Sequence, residues 1–122
     1  MRNESKDYSV LKHIVQYCDR ITSTITAFGD DFAIFSGNHI FQDAIALCIL
    51  QIGELAGHLS DSFRACHEEI PWRQIRAMRN IMAHEYASVN IKDTWETVIR
   101  DVPVLKEHCM RILRGTDILS QA

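Results

Sequence analysis

Leu11, Ile14, Cys18, Ile21, Ile25 and Phe28 recur at alternating intervals of three and four, the spacing that lines one face of an α-helix with apolar groups. This seam predicts a bundle helix from about residue 7 to 28, with Gly29 as its stop. Asp30 to Phe35 leaves room for one short turn, and Asn38 is placed to cap a second helix running to about Ser60. The second helix is apolar on more than one side. Phe41, Ala44, Cys48, Ile52, Leu55 and Leu59 form one seam; Asp43, Leu47, Leu50 and Glu54 form another. Residues 45–50 include no polar side chain, so a central helix covered on both faces is expected, by its own bundle or by a second copy of the chain. Gly53 and Gly57 have a spacing that lets a neighbouring helix approach, although such glycines more often reflect ordinary packing.

Pro71 fits the first turn of a third helix that carries Trp72, Ile75, Met78 and Met82 on toward Tyr86. Asp93 and Glu96 have capping-box spacing and open a fourth helix bearing Trp95, Val98, Ile99 and Val102. Pro103 should kink or split it, with Leu105, Cys109, Ile112 and Leu113 packing beyond the break. With only five Gly and two Pro among 122 residues, breakers are too few for a loop-rich fold. The expected fold is all-α, an antiparallel bundle of about four to five helices forming one domain over residues 1–122.

Charge narrows the functional classes. A net charge of −3 argues against a protein that coats nucleic acid nonspecifically, because that binding scales with phosphate neutralisation by Lys and Arg. It leaves room for a small local basic site. Cys18, Cys48, Cys66 and Cys109 lie far apart without a C-x-x-C pair, and read as reduced, buried thiols of a cytoplasmic protein. The polar start Met1-Arg2-Asn3-Glu4-Ser5-Lys6-Asp7 does not resemble a signal peptide, and no apolar run approaches a membrane span. A soluble chain with no membrane partner is expected.

The densest chemistry lies in Arg79-Asn80-Ile81-Met82-Ala83-His84-Glu85-Tyr86. Arginine offers a fixed positive fork for a phosphate, histidine exchanges a proton near neutral pH, and asparagine can orient either the ring or the substrate. On a helix Arg79 and His84 project about 140° apart, Arg79 within the arc of Trp72, Ile75, Met82 and Tyr86, and His84 with Arg73 and Asn80. An arginine in an apolar arc needs a negative partner or a cleft. Asp43 and Glu54 on the second seam are the candidates, and Glu54 is the one expected to orient Arg79. Asn80 and His84, four apart, are spaced to meet, so Asn80 can fix the imidazole. His13, His39, His58, His67 and His108 show no paired ligand spacing, and no metal site is expected.

At these residues the chain resembles the HEPN superfamily, and within it the HepT-like toxins of prokaryotic toxin-antitoxin pairs. Their signature is Arg, a polar residue, three variable positions, His, one variable residue and Tyr, which Arg79, Asn80, His84 and Tyr86 match position for position. Gln51-Ile52-Gly53-Glu54, Ile70-Pro71-Trp72-Arg73-Gln74-Ile75, Trp95-Glu96-Thr97-Val98 and Asp101-Val102-Pro103 extend the likeness over residues 40–113. After Tyr86 many relatives carry an aromatic residue and glycine; this chain has Ala87-Ser88, a departure that bears on the local loop.

The resemblance implies a homodimer whose motif helices face each other, giving a composite cleft with two Arg and two His. It implies metal-independent RNA cleavage without a cofactor, and a nucleotidyltransferase antitoxin that adds AMP to Tyr86. His84 then moves a proton at the ribose 2′-hydroxyl or the leaving oxygen, Arg79 stabilises phosphorane charge, and Asn80 positions His84 or the phosphate. Glu54 and Arg76 are the supporting residues. The rival reading is a non-catalytic helical partner that helps a nucleotidyltransferase bind its substrate, or a plain dimerisation module; the acidic net charge is compatible with both.

Overall fold

The computed structural model describes the backbone of residues 2–121 and the side chains of residues 5–115. Helix α1 (Arg2–Phe28) buries the predicted seam, with Leu11, Ile14, Cys18 and Ile21 at most 1% exposed. It stops at Gly29, whose φ of 127° suits a residue without a Cβ and whose N–H donates to Ile25 O at 2.7 Å. The short turn is α2 (Phe32–Ser36), capped by Asp31. Asn38 caps α3 (His39–Gly57), its Oδ1 accepting from the N–H groups of Ile40 and Phe41.

Helix α3 is central: α1 packs on one side of it and α5 on another, while α7 closes against α1. Phe28, Phe35, Phe41 and Trp95 form an aromatic knot at one end, with Phe28 stacked on Phe41 at 4.9 Å and Phe35 against both Phe41 and Trp95 at 5.0 Å. Part of α3 stays uncovered within the chain, where Ile40 is 61% and Leu47 of the second seam 55% exposed. Two expectations change here. By length and composition α3 is apolar enough to cross a membrane, with a window of mean hydropathy 1.4, against the expectation that no run approaches a span; 44% of that window is buried within the chain. Polar residues punctuate the run, so no single uninterrupted stretch stands out in the sequence. Of the thiols, Cys18, Cys48 and Cys109 are buried and Cys66 is exposed. Burial pushes Cys18 and Cys109 up to about 12, and Cys48 upward.

The chain does not run directly from α3 to the next long helix. Helix α4 (Asp61–Cys66) intervenes, capped by Ser60 and too short to show a periodic seam. Buried Asp7 of α1 fixes it, accepting from Ser60 N at 2.8 Å and Ser60 Oγ at 2.7 Å. Helix α5 (Trp72–His84) starts after Pro71 and ends before Tyr86. Glu85, at φ −134° and ψ 26°, turns the chain out of the helix, and Tyr86–Ser88 form a 3-10 turn.

Asn90, not Asp93, caps the next helix, α6 (Ile91–Glu96); its Oδ1 accepts from Asp93 N at 3.0 Å, so the capping position lies three residues earlier than expected. Pro103 does not split the helical stretch that α6 begins. Its missing N–H would leave Ile99 O without an α-helical donor, and the chain instead widens to π geometry over Thr97–Asp101 before continuing as α7 (Val102–Gln121). The described residues thus form an all-α bundle built on four long helical stretches, as expected, with α2 and α4 as short connectors.

Candidate functional site

Arg79 rides directly over Gly53. A Cβ added to Gly53 would lie 2.2 Å from Arg79 Cβ and 2.7 Å from its Cγ, so only glycine allows α5 to sit this close to α3. That approach brings the guanidinium to Glu54, where Nε donates to Oε1 and Nη2 contacts the same oxygen. Nη1 donates to Asn80 Oδ1 at 3.0 Å. Arg79 is 31% and Glu54 40% exposed, so the pair contributes only about 1 kcal/mol to stability, and its larger effect is to fix the direction of the fork. A guanidinium carries five N–H donors, which leaves some free for a phosphate.

Asn80 is therefore turned toward Arg79 rather than toward His84. His84 stands exposed on the last turn of α5, and among the described residues no hydrogen bond holds its ring. The divergence of about 140° between Arg79 and His84 persists, since both lie within α5. Arg76 forms no ion pair with Glu54; with Arg64 and Arg73 it lines an adjoining open cavity of about 350 Å³. A second cavity, about 410 Å³, lies on the other flank of α5 among Ile49, Ile75, Met78, Val104 and Leu105, away from the motif. No group of three His, Cys, Asp or Glu side chains among the described residues could hold a metal ion.

Tyr86 changes most from the sequence reading. Because α5 ends at His84, Tyr86 stands on the 3-10 turn beyond it, where a count of seven residues along one helix no longer sets its position. Its hydroxyl donates instead to Asp43 Oδ1. Burial, then the hydrogen bond and charge of Asp43, push this phenol up to about 12. Asp43 and Glu54 are eleven residues apart on α3, which places them on the same side of the helix but about 16 Å apart along its axis. Arg79 and Tyr86 are thus tethered to two ends of one α3 face. Asp43, the other candidate partner for Arg79, serves Tyr86 instead, a role that sequence reasoning misses. The signal lies in its place on the same seam as Glu54, but the seam does not say which basic or phenolic group reaches which carboxylate.

Comparison with known proteins adds an independent finding. Residues 14–112 match a family model described as "Ribonuclease HepT-like". The chain is 32% identical over 104 residues to a "Putative RNase" of Caldanaerobacter subterraneus, covering 85% of this chain and 91% of that one. It is 30% identical over 107 residues to a "Probable ribonuclease HepT" of Thermococcus cleftensis, covering 87% and 93%. A longer protein of Methanocaldococcus jannaschii, "Gamma-glutamylcyclotransferase and putative RNase", is 36% identical over 118 residues, which are 96% of this chain and 51% of that relative. No solved structure matches the chain.

Proposed function

The chain belongs to the HepT-like ribonuclease family, and on that footing we propose that it is a metal-independent endoribonuclease, the toxin of a toxin-antitoxin pair, inactivated by adenylylation of Tyr86. The observation that carries this reading is the seating of Arg79: pressed over Gly53, steered by Glu54 and Asn80, with N–H donors to spare and an exposed imidazole five residues further on.

The chemistry needs a proton acceptor, a proton donor and a stabiliser of phosphorane charge. The ribose 2′-oxygen attacks the adjacent phosphorus as its proton passes to a base. The bond from phosphorus to the 5′-oxygen breaks, and that oxygen takes a proton. The products are a 2′,3′-cyclic phosphate and a 5′-hydroxyl. His84 performs one of these proton transfers, and Arg79 donates to the non-bridging oxygens as negative charge builds. Asn80 holds the Nη1 edge of the guanidinium.

One chain offers a single motif imidazole, turned well away from Arg79. Two copies meeting on this side of the bundle supply a second imidazole and set the His84 of one opposite the Arg79 of the other. The exposed Ile40 and Leu47 on α3 support such a homodimer. A cognate nucleotidyltransferase is the proposed partner. Once esterified, the Tyr86 oxygen has no proton to donate to Asp43, and the phosphodiester repels that carboxylate. The modified ring swings outward and obstructs the cleft.

Cleavage of RNA by the purified parent, Arg79→Ala and His84→Ala proteins tests the assignment. Loss of His84 should lower the rate by about 10²- to 10⁴-fold and loss of Arg79 by about 10²- to 10³-fold, with helical content and oligomeric state retained. Products should end in 2′,3′-cyclic phosphate, and DNA of the same sequence should resist. Parental rates in both variants would refute the assignment. A folded parent that binds a nucleotidyltransferase but leaves RNA intact would favour the non-catalytic partner.

A further inference from the structure

Arg73 and Arg76 of α5 face Arg64 of α4 across the cavity of about 350 Å³, whose floor is Gly53, Ala56 and Gly57 of α3. No carboxylate among the described residues lines it. In a chain of net charge −3, three arginines gathered around one cavity are a local reversal of sign. Like charges at this spacing repel, and Arg73 and Arg76 have no carboxylate partner among the described residues, which points to an anionic occupant.

The cavity is also built rather than incidental. Arg64 is anchored, its Nη1 donating to Ala56 O at 3.0 Å and its Nη2 to Asp61, whose side chain is 99% exposed and so offsets the charge from the solvent side. Trp72 Nε1 donates to Arg64 O at 3.2 Å and His67 O at 3.0 Å, fastening the start of α5 to α4. Arg73 and Arg76 are exposed and form no ion pair among the described residues, so their guanidinium groups are available. At Gly57 the floor opens onto free space, since a Cβ there would meet nothing within 4 Å. The volume lies in the range of ligand sites, which begins at about 300 Å³.

Its position identifies the occupant. Arg73, Arg76, Asn80 and His84 succeed one another at intervals of three, four and four along one face of α5. This stripe leads from the cavity to the imidazole, with Arg76 about 4.5 Å and Arg73 about 9 Å along the axis from Arg79. We infer that the cavity is a phosphate subsite for RNA, in which Arg64, Arg73 and Arg76 hold the backbone of nucleotides flanking the cleaved bond. The subsite rests on the ribonuclease reading of the motif. Arg64 is the fixed donor; Arg73 and Arg76 close on the phosphates when the strand is laid along the stripe.

The test is the binding of a fully 2′-O-methylated RNA oligonucleotide, which lacks the attacking hydroxyl, measured by fluorescence anisotropy over a range of KCl concentrations. Each lost phosphate contact should reduce the magnitude of the slope of log K against log salt by about 0.7, so Arg73→Ala with Arg76→Ala should reduce it by about 1.4. KM for cleavable RNA should rise at least about tenfold while kcat stays near the parental value, because the groups bind backbone away from the reacting atoms. Arg73→Lys with Arg76→Lys, which keeps both charges, should restore most of the slope. A parental slope and KM in the alanine variant would overturn the subsite while leaving cleavage by Arg79 and His84 standing. A parent that neither binds nor cleaves RNA would overturn both readings. Loss of nucleotidyltransferase binding in the alanine variant, with RNA binding unchanged, would reassign the arginines to a protein contact and overturn the subsite.

Discussion

Replacing Gly53 with alanine perturbs the seat of Arg79 and nothing else in the motif. The new methyl would lie 2.2 Å from Arg79 Cβ, where carbon atoms normally rest about 3.5–4.0 Å apart. Arg79 Cβ cannot rotate away, so relief requires α5 to retreat from α3 by about 1.3 Å at this point. Overpacking of this kind costs about 1–3 kcal/mol, and the better helix propensity of alanine returns up to about 1 kcal/mol. Urea denaturation should therefore show a net loss of about 1 kcal/mol. The effect on catalysis should be larger in proportion, because a misplacement of about 1 Å can cost about 10²-fold in rate. Gly57→Ala is the control for stability, since its Cβ would meet nothing within 4 Å; it should gain up to about 1 kcal/mol. Two glycines one turn apart on α3 are thus expected to answer the same substitution with opposite signs. If Gly53→Ala proves as stable as Gly57→Ala and cleaves RNA at the parental rate, Arg79 is not seated on Gly53 and the reasoning fails.

Tyr86 supplies a pH test. Its folded pKa is raised from 10.0 to about 12, first by burial and then by Asp43, so the stability tied to the protonated phenol is intact below about pH 10 and is lost as pH climbs through about 12. The phenolate absorbance difference between the parent and Tyr86→Phe should have its midpoint near 12, and Asp43→Asn should lower that midpoint part of the way back, burial remaining. A midpoint near 10 in the parent would detach Tyr86 from Asp43. Separately, Asp7→Ala should destabilise the fold by about 1–3 kcal/mol, because Ser60 N and Oγ lose their acceptor at a part-buried junction. Faster hydrogen exchange at the Phe63 and Arg64 amides should accompany it; unchanged stability and exchange would show that Asp7 does not hold α4.

Much of the framework is legible in the sequence because it is written in local signals. The apolar seam of α1, the glycine stop at Gly29, the Asn38 cap and the position of Pro71 each name a boundary by a mechanism that acts within a few residues. Helix α4 escapes because six residues carry too little periodicity, and its anchor, Asp7, comes from 53 residues away in sequence. At the site, the pairing of Glu54 with Arg79 can be anticipated from an arginine in an apolar arc facing a helix with an acidic seam. The end of α5 cannot. Nothing in Glu85-Tyr86 marks a stop as glycine or proline would, and a helical count extended by two residues does not find the turn that carries Tyr86 to Asp43. Asn80 shows the same limit: spacing allows contact with His84, but the adjacent guanidinium wins the carbonyl.

The end of α5 and the seat of Tyr86 on Asp43 constrain how the proposed control of the site would work. Asp43 and Glu54 hold Tyr86 and Arg79 at points about 16 Å apart along α3, so an anion attached to Tyr86 in its present seat would lie against Asp43, not against the arginine. Like-charge repulsion then makes the seat itself unstable after modification. The regulation proposed for Tyr86 therefore depends on displacement rather than on direct neutralisation of Arg79: the ring must leave Asp43 before its adenylyl group can meet RNA. In that proposal Asp43 stands on the regulatory side of the mechanism and Glu54 on the catalytic side, although both sit on the same face of one helix. Gly53 belongs with Glu54, because the closeness of α5 to α3 at that single residue is what brings Arg79 to its carboxylate.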